Sequence, residues 1–272
     1  MIYFNAGQTA IPRLGLGTYK LQGATAAEIF AEAFALGIRH FDTAQFYDNE
    51  VEVGDAVKAS GLPRNELFIT TKVWYSNLAK KDFMPSVEES LRKLQMDQVD
   101  LLLIHWPNDT LPLAEYMEEL MRAQQMGYTK HIGVSNFSPR LVQQALATGA
   151  NLVNNQVEYH PFLKQDALLG VMRPNGMSLT AYSPVAQGKV KDNPVLQGIA
   201  AKYGKSTFQV TIRWFMQQDA VMAIPRTSSV KNLRNNFNVF DFELSEEDMA
   251  TINQLTLQNN RLVDPGWSHS WE

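Results

Sequence analysis

The 272-residue chain contains no cysteine. Disulfides, thiolate nucleophiles and zinc–sulfur sites are thereby excluded. It has no basic run either: 24 Lys and Arg against 28 Asp and Glu leave a net charge of −4. Nucleic acid and anionic membranes are therefore not expected partners, although a local basic pocket stays open. No apolar stretch approaches the ~20 residues of a membrane-spanning helix. The first ten residues, MIYFNAGQTA, carry neither a basic leader nor an apolar core and do not read as a signal peptide. A cytoplasmic protein is expected. Linkers, low-complexity tracts and composition shifts are also missing, so residues 1–272 read as one domain. With 45% hydrophobic and 19% charged residues, that domain has the means to build an ordinary soluble core.

What the chain does have is a rhythm. Short apolar, β-branched runs occur at 13–19, 40–44, 67–74, 99–106, 131–137, 152–159, 179–185 and 221–227. Amphipathic helical sequence lies between them. The first such segment puts Ile29, Ala33 and Leu36 on one face and stops at Gly37. Another starts near Asp82 and carries Val87, Leu91 and Leu94, and a third starts on Ser206-Thr207. A further helix is expected to begin at Asp48-Asn49-Glu50. Eight strands followed by helices at about thirty-residue steps predict a parallel (β/α)8 barrel, the TIM-barrel architecture. The rival is an open doubly wound sheet, which needs a G-x-G-x-x-G turn. Residues 15–20 offer only Gly15-x-Gly17-x-x-Lys20, with loop rather than helix to follow. Ahead of the first barrel strand, YFNAGQTAIP reads as a hairpin turning at Asn5-Ala6-Gly7, placed to plug one barrel end.

The working face of such a barrel is the C-terminal end of its strands. The polar residues fall there: Asp42, Lys72, His105, Ser135-Asn136, Gln156 and Glu158, Tyr182-Ser183 and Arg226-Thr227. Each alone has a plain structural reading. His105 could be a hydrogen-bonded core histidine, Asp42 and Lys72 an ion pair, Asn136 a helix cap. At equivalent positions on successive strands they must surround one crevice, which favours a functional site. A buried Lys72 needs an anion, and Asp42 is the obvious one. A cation ~4 Å from the Tyr47 phenol, at an effective dielectric of ~20, is worth about 4 kcal/mol. That would lower a phenol from ~10 toward ~7. Such a tyrosine can give a proton to a developing alkoxide, with neutral His105 holding the carbonyl oxygen. This is an acid site for carbonyl chemistry without a reductant of its own.

The order of motifs then supports a resemblance. GIRHFDTAQFYDNEVEVG, TTKVW, LLIHWP, IGVSNF, NNQVEYHPFL, AYSPVAQGK and IPRTSS follow one another as they do in the aldo-keto reductases, from Gly15 to the tail. AQFYDNE and TTKVW are most similar to the bacterial 2,5-diketogluconate reductases. The resemblance implies that Asp42, Tyr47, Lys72 and His105 form a catalytic tetrad with Tyr47 as general acid, and that the reductant is a nicotinamide cofactor bound without a Rossmann fold. Ser135, Asn136 and Gln156 match positions that hold the nicotinamide carboxamide, with Asp42 beside it, and Tyr182 matches the ring that stacks on it. Gly17, Thr18, Ser183 and Pro184 also fall to the cofactor. Arg226, Thr227, Asn232 and Asn236 match the adenosine 2′-phosphate site, so NADPH is expected and NADH stays open. Two positions depart from the family pattern. Ile38 replaces an aromatic, and Asn232 stands where an arginine is common, between Lys231 and Arg234.

The implied substrate is a small-molecule carbonyl bound in an apolar cup. Phe46, Trp74, His105 and Trp106 match its walls, with Tyr75 as an addition; core packing is the plain reading of Trp106. The tail is expected over the crevice, bringing Leu262, Trp267 and Trp271. A surface arginine is the plainer reading of Arg261. Keto acids, diketogluconates, β-keto esters, methylglyoxal and aromatic aldehydes all stay open, and a monomer is expected. Metal hydrolysis lacks its ligands: His40 and His131 begin strands, His160 lies in the EYHP turn and His269 in the tail. Two rivals remain, a Schiff-base aldolase using Lys72 and a nicotinamide-binding sensor with vestigial activity.

Overall fold

The computed structural model describes residues 2–267 and 271. The chain opens with two short antiparallel strands, β1 (Tyr3–Ala6) and β2 (Thr9–Pro12). Strands and helices then alternate. β3 (Leu16–Gly17) leads to α1 (Gly23–Ala35), β4 (His40–Asp42) to α2 (Glu50–Ser60), β5 (Phe68–Val73) to α3 (Lys80–Leu94) and β6 (Val99–Ile104) to α4 (Leu113–Gln125). Next, β7 (Thr129–Ser135) leads to α5 (Pro139–Leu146) and β8 (Leu152–Glu158) to α6 (Asp166–Met172). β9 (Ser178–Tyr182) precedes α7 (Pro194–Tyr203) and α8 (Thr207–Met216). β10 (Val221–Ala223) is followed by α9 (Val230–Phe237) and α10 (Glu246–Leu255).

β3 to β10 form one parallel sheet in sequence order. Its two edges meet: the Gly15 N–H donates to Ala223 O (3.0 Å), and the Ala223 N–H to Arg13 O (2.8 Å). The sheet is thus a closed barrel, as the repeat of strands and helices predicts. Side chains alternate across it. Ile69, Leu102, Ile104 and Val134 face outward into the main core with helix residues such as Ile29, Ala33, Val87, Leu91 and Leu120. Phe68, Leu101, Leu103, Val153 and Met222 fill the interior together with Ala6 and Ile11 of the hairpin. The hairpin is therefore the expected plug. His40 Nδ1 contacts Pro12 O (2.9 Å) and His131 Nε2 contacts Thr9 Oγ1 (2.8 Å), so two histidines outside the crevice tie the plug to the barrel.

Local expectations shift by a residue or two. The hairpin turns at Gly7-Gln8, one pair beyond the expected Asn5-Ala6-Gly7, because Ala6 is still paired with Thr9; Gly7 takes the positive φ of 60°. Leu36 does not share the buried face of Ile29 and Ala33. α1 ends at Ala35, and Leu36, in the capping position, is exposed. α3 begins at Lys80, so Asp82 lies in its first turn, where a carboxylate suits the helix dipole. α8 starts as expected, with Ser206 and Gln209 forming a capping box. Near the crevice, Asp48 adopts a left-handed conformation and α2 begins at Glu50.

Candidate active site

Asp42 ends β4 and pairs in register with Thr70, so Lys72, two residues further along β5, rises on the same inward face. The Lys72 ammonium is completely buried and donates to three oxygens: Asp42 Oδ1 (2.5 Å), the Thr43 carbonyl (2.9 Å) and the Tyr47 hydroxyl (3.3 Å). Asp42 Oδ2 accepts from Gln156 Nε2 at 2.7 Å. Since an ammonium can only donate, the Tyr47 oxygen is the acceptor in that contact and its own hydrogen must point elsewhere. The His105 ring lies edge-on to Tyr47, centroids 5.6 Å apart, and its Nδ1 is buried without a hydrogen-bond partner among the described residues. Asp42, Tyr47, Lys72 and His105 are thus brought together.

Their protonation differs from the expectation in one respect. The Tyr47 phenol is pushed well above its ordinary value, not down toward neutrality. Burial is the main cause, and the Asp42 carboxylate and Tyr19 add to it. The whole side chain is only partly buried, so water moderates the rise but does not reverse it. Lys72 fails to lower the phenol because Asp42 sits closer to the ammonium than Tyr47 does, and the buried pair presents little net charge. Burial also draws the Lys72 amine below its usual range, opposed by Asp42. His105 is pushed well below its ordinary value by burial, with the Lys72 charge adding. At neutral pH the site therefore holds a protonated phenol and a neutral imidazole.

Beyond this group lies a chain of polar contacts. Ser135 Oγ donates to Gln156 O (2.8 Å), and Asn136 Nδ2 donates to His105 O (2.9 Å) and to Ser135 Oγ (3.1 Å). The Tyr182 hydroxyl donates to Asn136 Oδ1 at 2.9 Å. Asn136 and Ser183 both adopt positive φ, which bends each strand end over the crevice before Phe137 and Pro184. Thr18 hangs its N–H on Asp42 O (3.0 Å), while its Oγ1 is buried without a partner among the described residues. A side chain at Gly17 would meet Ile224 O at 2.8 Å, so glycine is needed for barrel closure there. An unpartnered buried hydroxyl beside clustered amides and an aromatic ring is a donor set that fits a nicotinamide dinucleotide.

The proposed adenosine end is more dispersed. Arg226 is exposed and donates to Tyr19 O (2.9 Å) and Lys20 O (3.1 Å), tying the loop after β3 to the end of β10. Thr227, the next residue, and Asn236 in α9 are buried, and Asn232 is exposed on the first turn of α9. Arg234, its neighbour, is held in a bidentate pair by Glu32 of α1 (2.7 and 3.2 Å).

The walls are aromatic. Phe46 stacks on Trp74 at 4.2 Å and 17°, and Trp74 lies edge-on to His105 at 5.1 Å. The tail completes them: Trp267 stacks on Tyr75 (4.9 Å, 16°) and meets Trp74 and Trp106 edge-on at 6.0 and 5.2 Å. Trp271 meets Trp106 at 6.0 Å. Trp106 is buried, yet its tail contacts make it a wall as well as a core residue. Arg261 is not a surface arginine. Its side chain is 18% exposed, packs over the Trp271 ring at 3.6 Å and lies 3.9 Å from Glu158. His269 lies outside the described residues.

Three supporting residues escaped the sequence reading. Asn49 is fully buried; it accepts from Thr43 Oγ1 (2.7 Å) and donates to Thr18 O (2.7 Å) and Leu21 O (2.9 Å). It thereby fixes the Thr43 backbone that Lys72 uses. Gln45 accepts from the Trp74 N–H (2.8 Å) and Asn77 Nδ2 (2.9 Å), fixing the Trp74 wall. Tyr19 packs on Tyr47 at 5.0 Å. The sequence places Asn49 only at a helix start, which gives no sign of its buried role; the other two carry no local signal.

Comparison with known proteins agrees with this geometry. The model of the aldo/keto reductase family matches residues 13–256. The methylglyoxal reductase DkgB of Yersinia pestis is 42% identical over 268 residues, 97% of this chain and 100% of that protein. DkgB of Escherichia coli O157:H7 is 41% identical with the same coverage. A crystal structure of a protein provisionally called 2,5-diketo-D-gluconic acid reductase B superposes with a TM-score of 0.97 at 43% identity, covering 100% of this chain and 98% of that one. The aldose reductase of Schistosoma japonicum gives 0.88 at 29% identity, covering 94% and 91%. A closed parallel barrel, a buried Asp–Lys–Tyr line beside a neutral histidine and a family match over nine-tenths of the chain lead to one assignment. The chain belongs to the aldo/keto reductase family of NAD(P)H-dependent oxidoreductases.

Proposed function

We propose that this protein reduces small aldehydes and ketones to alcohols with NADPH, using Tyr47 as the proton donor. One observation carries the reading. Lys72, fully buried, donates to the Tyr47 oxygen and leaves the phenolic hydrogen for a substrate beside neutral His105. Reduced nicotinamide, when bound, supplies the hydride that adds to the carbonyl carbon. Tyr47 gives its proton to the carbonyl oxygen, and Lys72 stabilises the phenolate that remains. Asp42 holds Lys72 in place, and His105 steadies the carbonyl oxygen as a neutral hydrogen-bonding group. Ser135, Asn136, Gln156 and Tyr182 would hold the nicotinamide, with Thr18, Ser183 and Pro184 along the rest. Arg226, Thr227, Asn232 and Asn236 would meet the adenosine 2′-phosphate, where an arginine favours NADPH.

The relatives support methylglyoxal or a diketogluconate as substrate, and the aromatic pocket also suits a β-keto ester. A Schiff-base role for Lys72 is disfavoured, because an amine with three acceptors is held as an ammonium with no lone pair to attack. The same reading takes the chain as a cytoplasmic, single-domain monomer. Absorbance of reduced nicotinamide tests the chemistry, with methylglyoxal and a diketogluconate each supplied with NADPH and with NADH. Consumption with NADPH is expected. Equal use of NADH would overturn the cofactor assignment, and cofactor binding without turnover on any carbonyl would overturn the reductase reading in favour of a sensor.

A further inference from the structure

Glu158 ends β8, is wholly buried, and takes no part in the proton-transfer group. A buried carboxylate is costly unless its oxygens are hydrogen-bonded. Here the C-terminal tail supplies most of those bonds. Oε1 accepts from the Leu262 N–H (2.7 Å) and contacts His160 Nε2 (2.8 Å), while Oε2 accepts from the Val263 N–H (2.8 Å). The surroundings reinforce the attachment. Gln165 Nε2 donates to the Glu158 carbonyl (2.7 Å), and the Asn260 N–H donates to Phe162 O (2.7 Å). A few residues beyond this anchor, Trp267 reaches the loops after β5 and β6 and lies against Tyr75, Trp74 and Trp106. The tail is thus fixed at β8 and spans the barrel mouth. Trp267 itself is 51% exposed, and among the described residues its own side-chain contacts are with the Trp74, Tyr75 and Trp106 rings.

From this geometry we infer that Glu158 is a specificity-determining positioning residue. Its carboxylate clasps the tail main chain and so sets Trp267 as a wall of the carbonyl pocket, favouring carbonyls that carry a planar apolar body. The inference rests on the reductase reading above. A three-carbon carbonyl held by Tyr47 and His105 does not need that wall, whereas an aromatic aldehyde does. Loss of one aromatic contact with the substrate body corresponds to about a tenfold change in its affinity, about 1.4 kcal/mol.

The test measures kcat and KM for methylglyoxal and for benzaldehyde in the wild type, Glu158→Gln and Val263→Pro. The proline removes one donor to the clasp from the tail side and leaves the barrel interior untouched, so it stays informative if Glu158→Gln does not fold. Limited proteolysis of the tail is followed in parallel. Expected is a rise of about tenfold in KM for benzaldehyde, unchanged kcat/KM for methylglyoxal, and earlier cleavage of the tail. Equal losses on both carbonyls, no loss on either, or a tail as protected in Val263→Pro as in the wild type would each overturn the clasp. If the wild type reduces neither carbonyl, the reductase reading fails instead, and the proteolysis still decides whether the clasp exists.

Discussion

At the scale of single residues, what distinguishes the crevice is a lysine whose three hydrogens are all spent. In the proposed reaction the protonated phenol is the working form of Tyr47, and burial holds its pKa above the ordinary ~10. That form is lost only as pH rises through the raised value. kcat should therefore be flat from about pH 6 to about pH 9, and a pH–rate profile with an inflection near neutrality would contradict the assignment. Tyr47→Phe should lower kcat by at least about 100-fold while leaving NADPH affinity, read by fluorescence titration, unchanged. Lys72→Met has a second consequence, because it strands Asp42 as a buried, unpaired charge. Urea unfolding should show a loss of about 3–5 kcal/mol. Most of that loss should return on adding Asp42→Asn, without recovery of activity.

Single elements show which local signals can be trusted. Every barrel strand was visible in the sequence because parallel strands are buried on both faces and read as apolar runs ending in a polar residue. Ends were less visible. Leu36 fits the helical period of α1, but the helix stops one residue earlier and leaves it exposed. The hairpin turn was displaced because Asn5-Ala6-Gly7 has turn-like composition, while pairing and the burial of Ala6 and Ile11 decide the register. Since the hairpin plugs the end opposite the crevice, Ile11→Ala should cost about 2–5 kcal/mol on unfolding and leave kcat unchanged. A matching loss of kcat would mean that the plug is coupled to the site. Gly133 in β7 matters for another reason: a Cβ there would lie 2.6 Å from Asn154 O and 2.7 Å from Leu103 Cδ2. Gly133→Ala should therefore destabilise the barrel by about 1–3 kcal/mol, measured by the same unfolding experiment.

For the molecule as a whole, three histidines set the response to acid: His40 in the barrel base, His105 in the crevice and the partly buried His131 beside the plug. Burial lowers all three pKa values in the folded state. Below ~6.5 the unfolded chain takes up protons that the native state refuses, so stability falls as pH falls. Each histidine contributes up to about 1.4 kcal/mol per pH unit. The urea midpoint should drop between about pH 6.5 and 5, and His105→Gln should reduce the slope by roughly a third. An unchanged slope would mean that His105 is charged in the folded protein. The sequence by itself determined the barrel, the order of its strands and the arc of polar strand ends, because those follow from patterns a few residues long. Only the tertiary structure decided the direction of the Tyr47 shift, the part played by Asn49 and the attachment of the tail to Glu158. Burial and long-range pairing govern all three. Gln156 reaches Asp42 across 114 residues and Leu262 reaches Glu158 across 104. No window of sequence contains both partners; closure of the barrel brings them together.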